Sequence, residues 1–137
     1  MLQSRPIWSL LPLIIVLVFL LAACRRGDKE VPFAQGDQAR IACSKSCAAH
    51  GQCGTLPDSR RVVLANQSGP TVSLHDRLYA DGAAVTIMEK SERQLIAARV
   101  GEPLTGQATP FPHMFYLVRN EGEGKDGWVS EWCLARP

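Results

Sequence analysis

The sequence is short of several features, and each shortage narrows its function. It has three histidines and contains neither His-Glu-x-x-His nor Gly-x-Ser-x-Gly, so two familiar hydrolytic signatures are missing. Neither charge sign dominates: 15 Lys+Arg stand against 13 Asp+Glu, a net of +2. A protein that neutralises nucleic-acid phosphates needs a basic surplus, so no nucleic-acid partner is expected. No acidic block suggests a disordered tail. Internal repeats and low-complexity tracts are absent, and beyond residue 23 there is no long apolar run. At 137 residues the chain is too short for two ordinary domains.

What is present begins at the N-terminus. Seventeen apolar residues crowd into positions 1–23, and Leu10 to Leu21 is broken only by Pro12. Arg5 supplies a positive start, and Arg25 and Arg26 close the run. The run is short for a bilayer span, which needs about 20 residues, and it reads as a secretory signal. Its end, Leu21-Ala22-Ala23-Cys24, resembles the bacterial lipobox. That resemblance implies cleavage before Cys24, lipidation of Cys24, and a mature protein held to the extracytoplasmic face of a bacterial membrane. More than one acyl chain is needed for stable anchoring. Arg25 and Arg26 can also sit against anionic headgroups.

The rest divides by composition. Residues 24–36 read as the anchored cysteine and its tether, 37–59 as a cysteine-containing leader, and 60–137 as a β domain. Asp37 can cap a helix over 37–50, with Gly51 as its C′ glycine. Strands are expected at 60–65, 71–75, 84–88 and 114–119, with a last one starting at Trp128. Residues 94–100 suit a strand or a helix. The stretch 101–113, with three prolines and two glycines, reads as a loop. Short strands separated by frequent turns indicate a small barrel or sandwich, with Val85, Ile87, Leu117, Val129 and Leu134 as core.

Three segments carry a family resemblance: Gly82-Ala83-Ala84-Val85-Thr86-Ile87, Phe115-Tyr116-Leu117-Val118, and Asp126-Gly127-Trp128-Val129-Ser130 followed by Leu134. Together they resemble the bacterial SH3-like (SH3b) domain family. The resemblance covers about residues 60–137 and implies a small, mainly β, SH3-like barrel behind the short cysteine-containing helix.

Four cysteines remain after Cys24, an even number in an exported chain, where disulfides are the default. Cys43 and Cys47 would lie four apart on one helix face, a poor geometry for a mutual bond. A turn at Gly51 would bring Cys53 to Cys47, leaving Cys43 for Cys133. The rival is structural zinc on the same four thiolates, with His50 nearby. An oxidising compartment favours the disulfides, so no metal and no cofactor are expected.

Function is read from what is left. A small Cys-His enzyme would need a free thiolate and an oriented base, and every mature cysteine has a use as a staple. His75 beside Asp76 reads as a strand-end contact, and His113 as a solvated loop residue. Tyr116, Trp128 and Phe111 are the candidate ligand-binding residues, since an aromatic groove can stack on a sugar or a peptide. The expected function is non-catalytic binding of a cell-wall glycopeptide or an envelope protein. A structural or assembly subunit of a membrane complex is the alternative.

Overall fold

The computed structural model describes residues 32–96 and 109–137. The apolar leader, Cys24 and most of the tether lie outside the described residues. So do residues 97–100 and 101–108 of the stretches expected as strand or helix and as loop. No helix among the described residues is long and apolar enough to cross a membrane.

Two antiparallel sheets make up the domain. The larger contains β1 (Gln38–Ile41), β5 (Ala84–Leu95), β6 (Phe111–Asn120), β7 (Lys125–Ser130) and β8 (Leu134–Ala135), in the order β7-β6-β5-β1-β8. The smaller contains β2 (Cys53–Thr55), β3 (Arg61–Ala65) and β4 (Arg77–Ala80), in sequence order. One short helix, α1 (Lys45–Ala49), follows β1, and a 3-10 turn (Glu131–Cys133) precedes β8. A backbone bridge joins the two sheets, where Asn66 and Trp128 exchange hydrogen bonds of 3.1 and 2.7 Å. They do not close into a barrel, so the barrel expectation is corrected to two packed sheets.

The leader also differs from expectation. Residues 38–41 form a strand, because Gln38 and Arg40 point out while Ala39 and Ile41 are buried. That period of two outweighs the helix propensity of the alanines. The helix is reduced to five residues, with Ser44 rather than Asp37 as its cap: Cys47 N donates to the Ser44 hydroxyl. Gly51 does follow the helix end, at a φ of +70°.

Residues 71–75 do not form a strand. Side chains take up their carbonyls instead: Gln52 donates to Val72 O and Asn66 to Leu74 O. Ser73 N also turns back onto the Thr71 hydroxyl. Strand β6 begins at Phe111, inside the expected loop. Pro112 is tolerated there because β7 extends only as far as Ser130, opposite Phe115. Beyond that point β6 is an edge strand, and a missing N–H costs no ladder bond.

The core is continuous between the sheets. Val63, Tyr79, Val85, Ile87, Tyr116, Val118 and Val129 are nearly or fully buried, along with Ala39, Ile41 and the half-cystines Cys47 and Cys133. Leu117, expected in the core, is only half-buried. Its neighbour Tyr116 takes the inward position. Gly127 has a packing reason to be glycine: a Cβ there would lie 2.9 Å from the Tyr79 hydroxyl.

Candidate functional site

The disulfides organise the most distinctive side-chain cluster. They link Cys43 with Cys53 and Cys47 with Cys133. The pairing expected from the sequence, Cys47–Cys53 with Cys43–Cys133, is therefore reversed. The physical reason is the short helix. Cys43 precedes it, two residues after β1 ends, and bonds Cys53 on β2. Cys47 lies on the buried face of α1 and meets the 3-10 turn. All four described cysteines are consumed, so none offers a thiolate for catalysis or zinc. Among the described residues, no group of three or more His, Cys, Asp or Glu side chains is placed to hold a metal ion.

The Cys47–Cys133 bond clamps α1 against the turn that carries Trp132. Ser44 reinforces it by donating its hydroxyl to Trp132 O at 2.7 Å. His50, at the C-cap of α1, stacks on Trp132 with centroids 3.6 Å apart and planes 8° from parallel. Its Nδ1 lies 2.7 Å from Ser46 O, and donation to that carbonyl fixes the ring against the helix.

A second imidazole supports the same indole. His113 lies 3.9 Å from Trp132 and makes edge contacts with Phe115 and Phe111. Phe111 is 6.4 Å from Trp132. His113, expected as a solvated loop residue, is instead 2% exposed. Its Nδ1 is 2.9 Å from Glu131 Oε1, and its Nε2 is 2.7 Å from Ser130 Oγ. With Nδ1–H donating to the carboxylate, Nε2 accepts from the serine hydroxyl. The hydrogen bond from His113 holds the Glu131 carboxyl below the ordinary carboxylate range. Met114 N donates to the same carboxylate.

Serine, imidazole and carboxylate in this order match the hydrogen-bonding of a nucleophile, a base and its orienting acid. The same groups also have structural partners. Ser130 is 2% exposed, and its hydroxyl caps the 3-10 turn by accepting from Trp132 N. Ser130 Oγ is thus engaged both by the turn and by His113. The relay holds His113 and Trp132 in place.

The outcome is a half-buried surface of His50, Trp132 and Phe111 over a rigid polar support. A cavity of about 280 Å³, lined by Lys45, Ser46, Ala49 and His50, opens beside it. A separate groove of about 440 Å³ follows the 66–76 loop and includes Asn66, Leu74, His75 and Asp76. His75 and Asp76 are exposed there, and Asp76 accepts from Gln67 N.

The sequence-chosen aromatics are only partly brought together. Phe111 joins the cluster. Tyr116 does not: it is 1% exposed, points to the opposite face of β6, and its hydroxyl accepts from Phe33 N. Burial pushes its phenol up from the ordinary tyrosine range. Trp128 is half-buried opposite Leu117, on a face that Tyr116 does not share. Cys24 lies outside the described residues. The sequence reading missed His50, His113, Trp132, Ser130 and Glu131 as a unit. One signal was available for His113, which is two residues from both Phe111 and Phe115 and so shares their face in any strand. Compared with protein-family models, curated proteins and solved structures, the chain matches none.

Proposed function

We propose that this chain is a lipid-anchored, non-catalytic binding module on the extracytoplasmic face of a bacterial membrane, and that it contacts a cell-wall glycopeptide through His50, Trp132 and Phe111. The observation that carries this reading is the built support under those rings. A disulfide, two capping serines and a buried Ser-His pair braced by the exposed Glu131 carboxylate all fix an aromatic surface that remains half open. A preorganised surface loses little entropy on binding, and with His50 and His113 both against the indole it offers the His50 ring, the indole edge and Phe111. The two disulfides suit an oxidising compartment, in keeping with the lipobox-like segment at Cys24. Leu134, which follows the Gly127-Trp128-Val129-Ser130 segment, pairs with Ile41 to join the two ends of the domain.

The reading of a structural or assembly subunit has one observation in its favour. Leu74 and Leu78 are 68% and 48% exposed, and apolar side chains in that state suit a protein contact.

A sedimentation assay on isolated cell wall separates the two. Phe111→Ala should weaken binding by about 1–3 kcal/mol, the range of a modest hot spot, with little salt dependence because the contact is not charge-led. Thermal melting of the same variant controls for stability. Unchanged binding, or a loss explained entirely by unfolding, defeats the glycopeptide reading. A Leu78→Asp variant that loses a protein partner while keeping wall binding unchanged would favour assembly.

A further inference from the structure

Strand β5 is twelve residues long, but β1 covers only its first part. The ladder with β1 runs from Ala84 to Thr86, and two further bonds join Ile87 to Gly36 and Asp37. From Glu89 to Leu95, β5 pairs with β6 on one side. On the other side, no backbone partner is present among the described residues. Glu89, Lys90, Glu92, Arg93 and Gln94 are exposed, and Ser91 is half-buried. None of these four charged side chains has an ion-pair partner among the described residues. An open run of strand N–H and C=O groups is a template for another strand.

Charged residues on an edge often serve to discourage such pairing. The order of these charges does the opposite. In an antiparallel pair of two copies centred on Ser91, residue 91+k faces residue 91−k of the partner. Glu89 then faces Arg93, and Lys90 faces Glu92. By two-fold symmetry each contact occurs twice, and no like charges meet. Directly opposed opposite charges favour a strand pair, and like charges disfavour it. The sequence Glu89-Lys90-Ser91-Glu92-Arg93 is thus complementary to itself when reversed.

We propose that this edge of β5 is a homodimer interface, in which two copies join antiparallel about Ser91 into one continuous sheet. The contact is isologous, so it closes at two copies and does not propagate. It also places Arg93 and Leu95, which pair with His113 and Phe111, near the two-fold axis. The two aromatic surfaces would then lie on one extended sheet, where a repetitive ligand could engage both at once. The interface does not depend on the glycopeptide reading and is tested without any ligand.

Sedimentation velocity on the full chain in detergent, corrected for bound detergent, should show a monomer–dimer equilibrium that weakens with salt. Arg93→Glu sets carboxylate against carboxylate at two places and should raise the dissociation constant at least tenfold. The exchange Glu89→Arg with Arg93→Glu restores complementarity and should return the constant to within about threefold of wild type. Both positions are exposed, so the fold is retained, and circular dichroism checks it. A wild-type chain that stays monomeric throughout, an Arg93→Glu variant that dimerises unchanged, or an exchange that fails to restore pairing would each overturn the proposal.

Discussion

The Cys47–Cys133 bond should contribute more to stability than the Cys43–Cys53 bond, and by a margin that can be worked out from chain connectivity. The first spans 86 residues and the second 10. In the chain-entropy treatment, a cross-link stabilises by restricting the unfolded chain, roughly as the logarithm of loop length. That gives about 4.5 kcal/mol for the long loop and about 2.7 kcal/mol for the short one. Neither bond shortcuts the other, because Cys47 lies within the 43–53 loop and the path onward to Cys133 stays about as long. Domains of this size have total stabilities on the order of 5–15 kcal/mol, so the Cys47→Ala/Cys133→Ala variant should stand near the limit of folding. With a urea slope of about 1–3 kcal/mol/M, its midpoint should fall by roughly 2–4 M. The Cys43→Ala/Cys53→Ala variant should lose distinctly less. Urea denaturation under non-reducing conditions measures both. A Cys43→Ala/Cys53→Ala variant that proves the less stable of the two would refute the reasoning. So would non-reducing peptide mapping that recovers Cys47 joined to Cys53.

Gly127→Ala should destabilise the domain by about 1–3 kcal/mol, the usual cost of overpacking, because the new methyl meets the Tyr79 hydroxyl. Thermal melting measures this, and adding Tyr79→Phe should recover part of the loss. Alkaline titration of the two tyrosines offers a different check. Burial pushes the Tyr79 phenol up to about 12 and raises that of Tyr116 as well. A phenol whose folded value is raised stabilises the fold below its unfolded value, near 10, and that stability is lost as pH climbs toward 12. Ultraviolet absorbance should therefore show clearly less phenolate in the native protein at pH 10 than in urea at the same pH, where about half of the phenols are ionised. Native titration near 10 would mean that the phenols are not buried.

The β character of the domain was legible in the sequence because it rests on local alternation. Val85-Thr86-Ile87 and Trp128-Val129 each place one side chain in the core and the next outside it, and the structure keeps those assignments. The leader was read less well. Four alanines across 37–50 suggested a helix, yet Gln38-Ala39-Arg40-Ile41 alternates as cleanly as any strand in the chain. The disulfide pairing inherited that error. Once β1 replaces the first half of the helix, Cys43 and Cys47 no longer share a helix face, and their partners change places.

The candidate site was harder to see for a related reason. Its members come from three places far apart in the chain: His50 after α1, Phe111 and His113 at the start of β6, and Ser130 to Trp132 at the close of β7. Nothing local to any one of these three places signals the other two. The relay depends on a strand that starts three residues earlier than the prolines suggest, and on a disulfide whose pairing depends on where a helix begins. Tyr116 shows the same dependence from the opposite side. Alternation correctly separated it from Leu117, but alternation has no sign, and the choice of inward face was reversed. What settles the sign is Phe33, whose backbone N–H reaches the Tyr116 hydroxyl and whose ring packs against it at 5.5 Å. A residue that reads as part of a tether thus closes the core over one face of β6. The other face of the strand is left to the imidazole–indole cluster.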